Sequence, residues 1–113
     1  MFNENSLSGN AKKVILDDND IYISIASLWE IAIKQSIGKL EIKESIETIA
    51  RICRDEGFYL LPIIPSHLDH LKTLPLIHGN PFDRLLISQA VTEGLTIITK
   101  DSKIPAYGIK TLW

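Results

Sequence analysis

Three acidic residues in separate segments of the chain are placed where they could act together. Glu30 lies in the first predicted turn of a helix that follows the strand-like run IYISI. Asp83 lies in the first turn of a later helix, and Asp101 follows the apolar run LTIIT. In an open α/β sheet, helices that feed parallel strands begin at the edge where strands end, and ligands bind there. We therefore expect the three carboxylates to share one rim.

Carboxylates that are held close together repel one another unless a cation neutralises them. Mg²⁺ or Mn²⁺ suits such a group, because both are hard cations that take oxygen ligands and retain several waters. A bound ion of this kind activates water and offsets the charge that develops on a phosphate during phosphodiester hydrolysis. The acids therefore favour a metal-dependent hydrolase as one interpretation.

Each acid also has a purely structural interpretation. Ser27 and Glu30 have the spacing of a capping box at a helix N-terminus. Asn80 and Asp83 resemble a second one, and Asp101 can cap the turn that follows it. For each acid alone this explanation is at least as good as the catalytic one. It is weaker for the three together, because it does not require them to share an edge.

The three histidines are weaker candidates for a site. His67 and His70 share a helix face at i,i+3, but no cysteine or third histidine is placed to complete a zinc site. We therefore interpret both as surface or packing residues. His78 precedes Asp83 in a loop and could contact a substrate there, although a loop histidine without a role is an equal alternative.

Strand-like and helical patterns alternate along the chain. Apolar spacing and breaker residues predict these elements in order: a helix over 7–18, a strand over 21–25, a helix from Ser27 to Gly38, a helix over 41–56, a strand over 58–64, a helix over 66–73, a helix from Asn80 to Gly94, a strand over 95–99 and a strand over 109–113. This order predicts an α/β domain with a parallel sheet.

The helix from Ser27 to Gly38 is apolar over a wide arc. Trp29, Ile33 and Ile37 form one flank, which predicts that the helix is largely buried and that Trp29, like Trp113, belongs to the core. Glu30 and Lys34 form its narrow exposed face, where residues of opposite charge at i,i+4 can pair.

Composition bounds the class of protein. The 113 residues are 45% hydrophobic and carry a formal net charge of −2. These values indicate one globular domain and argue against a broad basic surface that coats nucleic acid. A single cysteine, Cys53, and the lack of a signal peptide or membrane-length apolar run predict a cytoplasmic protein.

Three stretches resemble one family. SLWEIAIKQSIGKL, HGNPFDRLLISQA and LTIITKD are similar, in order and spacing, to the VapC-like toxin group of PIN-domain proteins. The resemblance implies a PIN-like three-layer fold, with a short parallel sheet flanked by helices, over residues 1–113. It also implies a magnesium-dependent ribonuclease restrained by a co-expressed antitoxin.

The resemblance places Glu30, Asp83 and Asp101 at three acidic positions of the family, as metal ligands and catalytic residues. Candidates for holding the RNA phosphate are the nearby basic side chains and the loop histidine: Lys34, His78, Arg84 and Lys100. Family members are often dimers, so a homodimer is expected, with backbone pairing at or near residues 21–25 or 95–99.

The chain departs from the family pattern in two places. Family members begin with a hydrophobic strand that ends in an Asp, the first metal ligand, and nothing before Leu7 resembles it. Asn80 stands where many relatives have another Asp. We therefore expect an N-terminally incomplete fold in which Mg²⁺ or Mn²⁺ binds weakly or not at all, and in which ribonuclease activity is low or lost.

Two other functional interpretations stay open. One is a non-catalytic PIN remnant that binds an antitoxin or itself. The other is a phosphoacceptor receiver domain, because VILDDND resembles the acid cluster that follows a strand in such domains. The receiver is disfavoured, because IYISI follows those acids too closely for the crossover helix that a parallel sheet needs.

Overall fold

The computed structural model describes residues 8–17, 19–77, 79–99, 101 and 103–113, which form a mixed α/β structure. The elements, in chain order, are α1 Gly9–Leu16, β1 Tyr22–Ser24, α2 Ile25–Ser36, α3 Ile46–Asp55, β2 Tyr59–Leu61, α4 Pro65–Leu71, α5 Pro81–Glu93, β3 Ile97–Ile98, a 3-10 helix Pro105–Tyr107 and β4 Thr111–Leu112. The predicted α/β class is confirmed. Within the described residues, no helix is long and apolar enough to span a membrane.

The chain divides into two compact units, each with its own two-stranded parallel sheet. The first unit, Asp20–Pro62, contains β1, α2, α3 and β2, and Tyr22 lies opposite Tyr59 in its sheet. The second unit joins α1 to the chain from Ile63 onward, and Ile97 lies opposite Thr111 in its sheet. Parallel pairing requires a crossover connection, which α2 and α3 supply in the first unit.

The core of the first unit lies between its helices and strands. Its buried apolar residues are Ile23, Leu28, Ile49, Ala50 and Cys53. Those of α3 recur every three to four residues, so α3 presents one apolar face to the core, as its sequence predicts.

Helix α2 begins earlier than predicted. Ser24 is its N-cap, with Oγ accepting a hydrogen bond from the Ala26 N–H at 3.0 Å. Ser27 therefore lies inside the helix, and the capping-box interpretation of Ser27 and Glu30 is wrong. Glu30 is the sixth helical residue, not a first-turn residue as predicted. The sequence pattern places all of IYISI in a strand, whereas Ile25 already belongs to the helix.

The prediction that α2 is largely buried is also wrong. The helix buries Ala26 and Leu28, but the side chains of the other apolar flank are well exposed. Trp29, Ile33 and Ile37 are 53%, 38% and 59% exposed. A two-stranded sheet covers only one face of a helix, so an apolar arc this wide is not all covered within the first unit. Trp29 is therefore not a core residue, and Trp113 is half-buried.

Helix α3 begins at Ile46, whereas the sequence predicted a start at Glu41. Ser45 caps it, since its Oγ accepts from the Thr48 N–H at 3.1 Å. The preceding segment is held instead by Gln35, whose Nε2 donates to the carbonyls of Ile42 at 2.9 Å and Glu44 at 3.0 Å. These bonds explain why Ile42 contributes to the core without being helical.

The helix that carries Asp83 follows its prediction closely. Asn80 is the N-cap of α5, Pro81 is its first residue, and Gly94 ends it in the left-handed conformation with φ of 68°. A residue with a Cβ is disfavoured at such a φ, which is why glycine stops the helix there.

Candidate active site

Asp83 lies in the first turn of α5, at a capped helix N-terminus. Oδ1 of Asn80 accepts from the backbone N–H of Phe82 at 3.0 Å and of Asp83 at 3.3 Å. The remaining N–H groups of a first turn point along the helix axis and favour a negative charge nearby. The predicted cap at Asn80 is confirmed, and it fixes the backbone that carries the Asp83 carboxylate, which is half-buried.

Asp101 lies just beyond β3 and organises the turn that follows. Its Oδ1 accepts from the Lys103 N–H at 2.9 Å, and its own N–H donates to Oγ1 of Thr99 at 3.0 Å. The Ile104 N–H donates to the Asp101 carbonyl at 3.4 Å. The predicted turn-capping role of Asp101 is therefore confirmed. It employs Oδ1 and is compatible with a ligand role for the same carboxylate.

A hydrogen bond joins the segments that carry these two acids, both of which belong to the second unit. Arg84, which follows Asp83 directly, donates from Nη1 to the hydroxyl of Tyr107 at 3.4 Å. Tyr107 belongs to the 3-10 helix that begins four residues after Asp101. A side-chain hydrogen bond therefore links the first turn of α5 to the 3-10 helix that follows Asp101.

Glu30 belongs to the first unit, where it pairs with Lys34. The Lys34 Nζ lies 3.9 Å from the Glu30 Oε2, so the predicted i,i+4 ion pair is confirmed. Both side chains are partly exposed, and pairs of this kind contribute at most about 0.5 kcal/mol to stability. The pair is therefore weak enough for Glu30 or Lys34 to exchange it for another partner.

Comparison with known proteins adds a family to this geometry. A family model described as the PIN domain matches residues 1–110. The chain belongs to the PIN-domain family. A search of curated proteins gave no match. The PIN-domain membership predicted from the three motif stretches is confirmed, and it indicates a nuclease.

PIN domains generally bind divalent metal ions, and the donors of this one suit such ions. Asp83 and Asp101 offer carboxylate oxygens, which Mg²⁺ and Mn²⁺ prefer. Within the described part of the chain, no three His, Cys, Asp or Glu side chains form a group that could hold a metal ion. The donor chemistry of this PIN domain fits a hard cation.

The predicted phosphate-binding residues fall into two groups. His78 and Lys100 lie outside the described residues. Lys34 lies beside Glu30, and Arg84 donates to backbone carbonyls as well as to Tyr107.

The sequence did not predict a buried polar network between α4 and α5. His67 is 1% exposed. Its Nδ1 accepts from the Ile64 N–H at 3.2 Å, and the Gln89 Nε2 lies 3.4 Å from the same nitrogen. Its Nε2 lies 2.8 Å from Oε1 of Glu93. Because Nδ1 is an acceptor, the imidazole proton lies on Nε2 and is donated to Glu93. Ser88 completes the network through the His67 carbonyl.

This arrangement is not a nucleophile–base pair, because the Ser88 hydroxyl bonds to a carbonyl and not to the imidazole. The prediction that His67 is a packing residue is confirmed. A signal was present in the sequence: Gln89 falls on the same helix face as Leu85 and Ala90, and buried polar side chains need partners.

Proposed function

We propose that this PIN domain is a VapC-like toxin, a cytoplasmic metal-dependent ribonuclease restrained by an antitoxin protein. The observation that supports the proposal most is the hydrogen bond from Arg84 to Tyr107, which joins the Asp83 and Asp101 segments within the second unit. This contact links the segment that follows Asp83 to the 3-10 helix that follows Asp101. RNA is the proposed substrate.

The proposed ligands of Mg²⁺ or Mn²⁺ are Glu30, Asp83 and Asp101. The ion would supply an activated water and offset charge on the phosphate. Lys34, Lys100 and His78 are the proposed contacts to the RNA backbone. Three carboxylates attract a cation less than four do, and Asn80 adds no charge, so we expect roughly millimolar affinity for Mg²⁺ or weaker.

Asparagine variants of the acids test the site. Asp83→Asn and Asp101→Asn should each abolish both Mn²⁺ binding and any RNA cleavage. Mn²⁺ binding is measured by the paramagnetic line broadening that the ion causes. Asp69→Asn is the matched control, because Asp69 is exposed on α4 and pairs with Lys72 at 3.3 Å. Cleavage that survives both substitutions, or that chelator does not stop, would contradict the proposal.

The second candidate, a PIN remnant that only binds a partner, makes the opposite prediction. The wild-type chain would then bind no metal and cleave no RNA, yet would form a stable complex with the product of an adjacent gene. Expression of the chain in bacteria separates the two functions. A toxin should arrest growth, and co-expression of that adjacent gene should relieve the arrest.

We also propose a homodimer formed at the strand edges. Among the described residues, β1 is paired with β2 and β3 with β4, so each strand has one edge without a strand partner. Such edges are templates for association. The N–H groups of Ile97 and Thr99 donate to residues on or next to β4, so the Ile98 N–H between them points to the other edge.

Ile98→Pro removes that outward N–H while keeping the bonds to β4, so it should weaken the dimer. Ile97→Pro removes an inward bond and should lower stability instead. Light scattering that gives a wild-type monomer at concentrations of roughly 0.1 mM would refute this part of the proposal, since edge pairing at a useful strength forms dimers well below that.

A further inference from the structure

The guanidinium of Arg84 is bonded to three groups from two segments of the second unit. Nη1 donates to the Pro75 carbonyl at 2.8 Å and to the Tyr107 hydroxyl at 3.4 Å. Nη2 lies 3.5 Å from the Leu74 carbonyl. The side chain is half-buried. Arg84 therefore joins the loop that enters α5 to the 3-10 helix that follows Asp101.

Both segments connect directly to an acidic residue of the proposed site. The loop after Pro75 leads to Asn80, the cap of the helix turn that holds Asp83. The 3-10 helix is tied back to Asp101 by two backbone bonds, Tyr107 N–H to Ile104 at 3.1 Å and Ile104 N–H to Asp101 at 3.4 Å. The fork of the guanidinium thus lies between the two stretches of backbone that position the carboxylates.

We propose that Arg84 is a positioning residue that holds the Asp83 and Asp101 segments in one arrangement, and not a ligand of the RNA phosphate. The inference rests on the proposed metal-dependent nuclease. An arginine suits this role because its planar fork can bond several acceptors at once, whereas a lysine ammonium is a single point charge on a flexible stem. Three of the five N–H groups of this guanidinium already bond to protein acceptors.

The test compares Arg84→Lys with Tyr107→Phe, and uses Lys72→Gln as the control for a lost positive charge. Arg84→Lys keeps the charge but not the fork. It should lower Mn²⁺ affinity and kcat at least tenfold and leave KM for RNA within about threefold, because misplaced ligands impair the reacting arrangement more than substrate binding. Lys72→Gln should change none of these values.

Amide hydrogen exchange provides a readout that does not depend on catalysis. The Ile77 N–H bonds to Pro75, and the Gly108 N–H bonds to Pro105, so these two amides report on the two segments. Arg84→Lys should speed exchange at both amides. Tyr107→Phe should speed exchange at Gly108 and not at Ile77, because it removes the Arg84 contact to the 3-10 helix and keeps the bond from Arg84 to Pro75.

Three results would overturn the inference. The first is unchanged exchange at both amides in Arg84→Lys. The second is a raised KM with unchanged kcat and Mn²⁺ affinity, which is the result expected of a phosphate ligand. The third is faster exchange with no change in Mn²⁺ affinity, which makes the contacts merely structural. If the wild-type chain binds Mn²⁺ but cleaves no RNA, the nuclease proposal fails, while exchange and Mn²⁺ affinity still decide the role of Arg84.

Discussion

Nε2 of His67 lies 2.8 Å from Oε1 of Glu93, and this contact joins α4 to α5 across 26 residues of sequence. His67 also caps its own helix, because its Nδ1 accepts from the Ile64 N–H. One buried imidazole therefore satisfies a helix terminus and a side chain on a neighbouring helix. Removing the imidazole deprives the Ile64 N–H of this acceptor and leaves Gln89 and Glu93 without the partner that they share.

We expect His67→Phe to lower the free energy of unfolding by about 3 kcal/mol, since it breaks a buried polar network. Urea denaturation measures the change. His70→Phe is the matched control on the same helix, and it should stay within about 0.5 kcal/mol, as substitutions away from such networks do. Equal effects of the two substitutions would show that the His67 contacts contribute nothing specific.

The start of α2 predicts a contrast between two serines. Ser24 caps the helix through the Ala26 N–H, whereas Ser27 lies within it. Ser24→Ala should cost about 1 kcal/mol, the usual contribution of an N-cap. Ser27→Ala should be nearly neutral, because alanine has the higher helix propensity. Thermal unfolding of the two variants under the same conditions gives the comparison, and a larger loss for Ser27→Ala would place the cap where the sequence pattern placed it.

These serines illustrate what local sequence determines. Helix α5 is bounded by residues whose conformational preferences agree with its two ends: Asn80, Pro81 and Gly94. The sequence therefore predicted the start and the end of this helix to the residue. At the start of α2, two serines three residues apart each offer a plausible cap. Local preference does not choose between them. The choice depends on where β1 stops pairing with β2, which is a tertiary property.

In the candidate site, too, local sequence determines some features and tertiary contacts determine others. The positions of Asp83 after a cap and of Asp101 after a strand follow from short-range signals, and both were predicted. The contact between Arg84 and Tyr107 that joins their segments spans 23 residues. No sequence periodicity encodes such a contact. The sequence alone favoured a phosphate-binding role for Arg84, because it shows the positive charge of the side chain but not its hydrogen-bond acceptors.

Cys53 should be unreactive in the native state. It is 3% exposed in the core of the first unit, and burial raises the pKa of its thiol. The native state therefore binds the thiol proton more tightly than the unfolded state does. As a result, the free energy of unfolding falls as the pH rises above the ordinary thiol pKa. Ellman's reagent at pH 8 should modify Cys53 only on adding urea; rapid modification without urea would place the thiol at the surface.

Asn80 allows the cap of α5 to be separated from the charge of the proposed metal site. An aspartate at this position keeps the acceptor oxygen for the Phe82 and Asp83 N–H groups, and it adds a carboxylate near Asp83. Asn80→Asp should therefore retain stability and raise Mg²⁺ affinity by about tenfold, because a hard cation gains an anionic oxygen nearby. Asn80→Ala should lose about 1 kcal/mol of stability through the missing cap.

Thr92→Asp supplies the control for an added charge, since Thr92 is exposed near the far end of the same helix. Twelve residues of helix separate the two positions by about 18 Å, beyond the range at which an exposed carboxylate attracts the ion strongly. Calorimetric titration with Mg²⁺ compares the variants. An affinity gain for Asn80→Asp alone would locate the ion at the start of α5. Equal gains for both aspartates would show that net charge, and not a site at Asp83, attracts the ion.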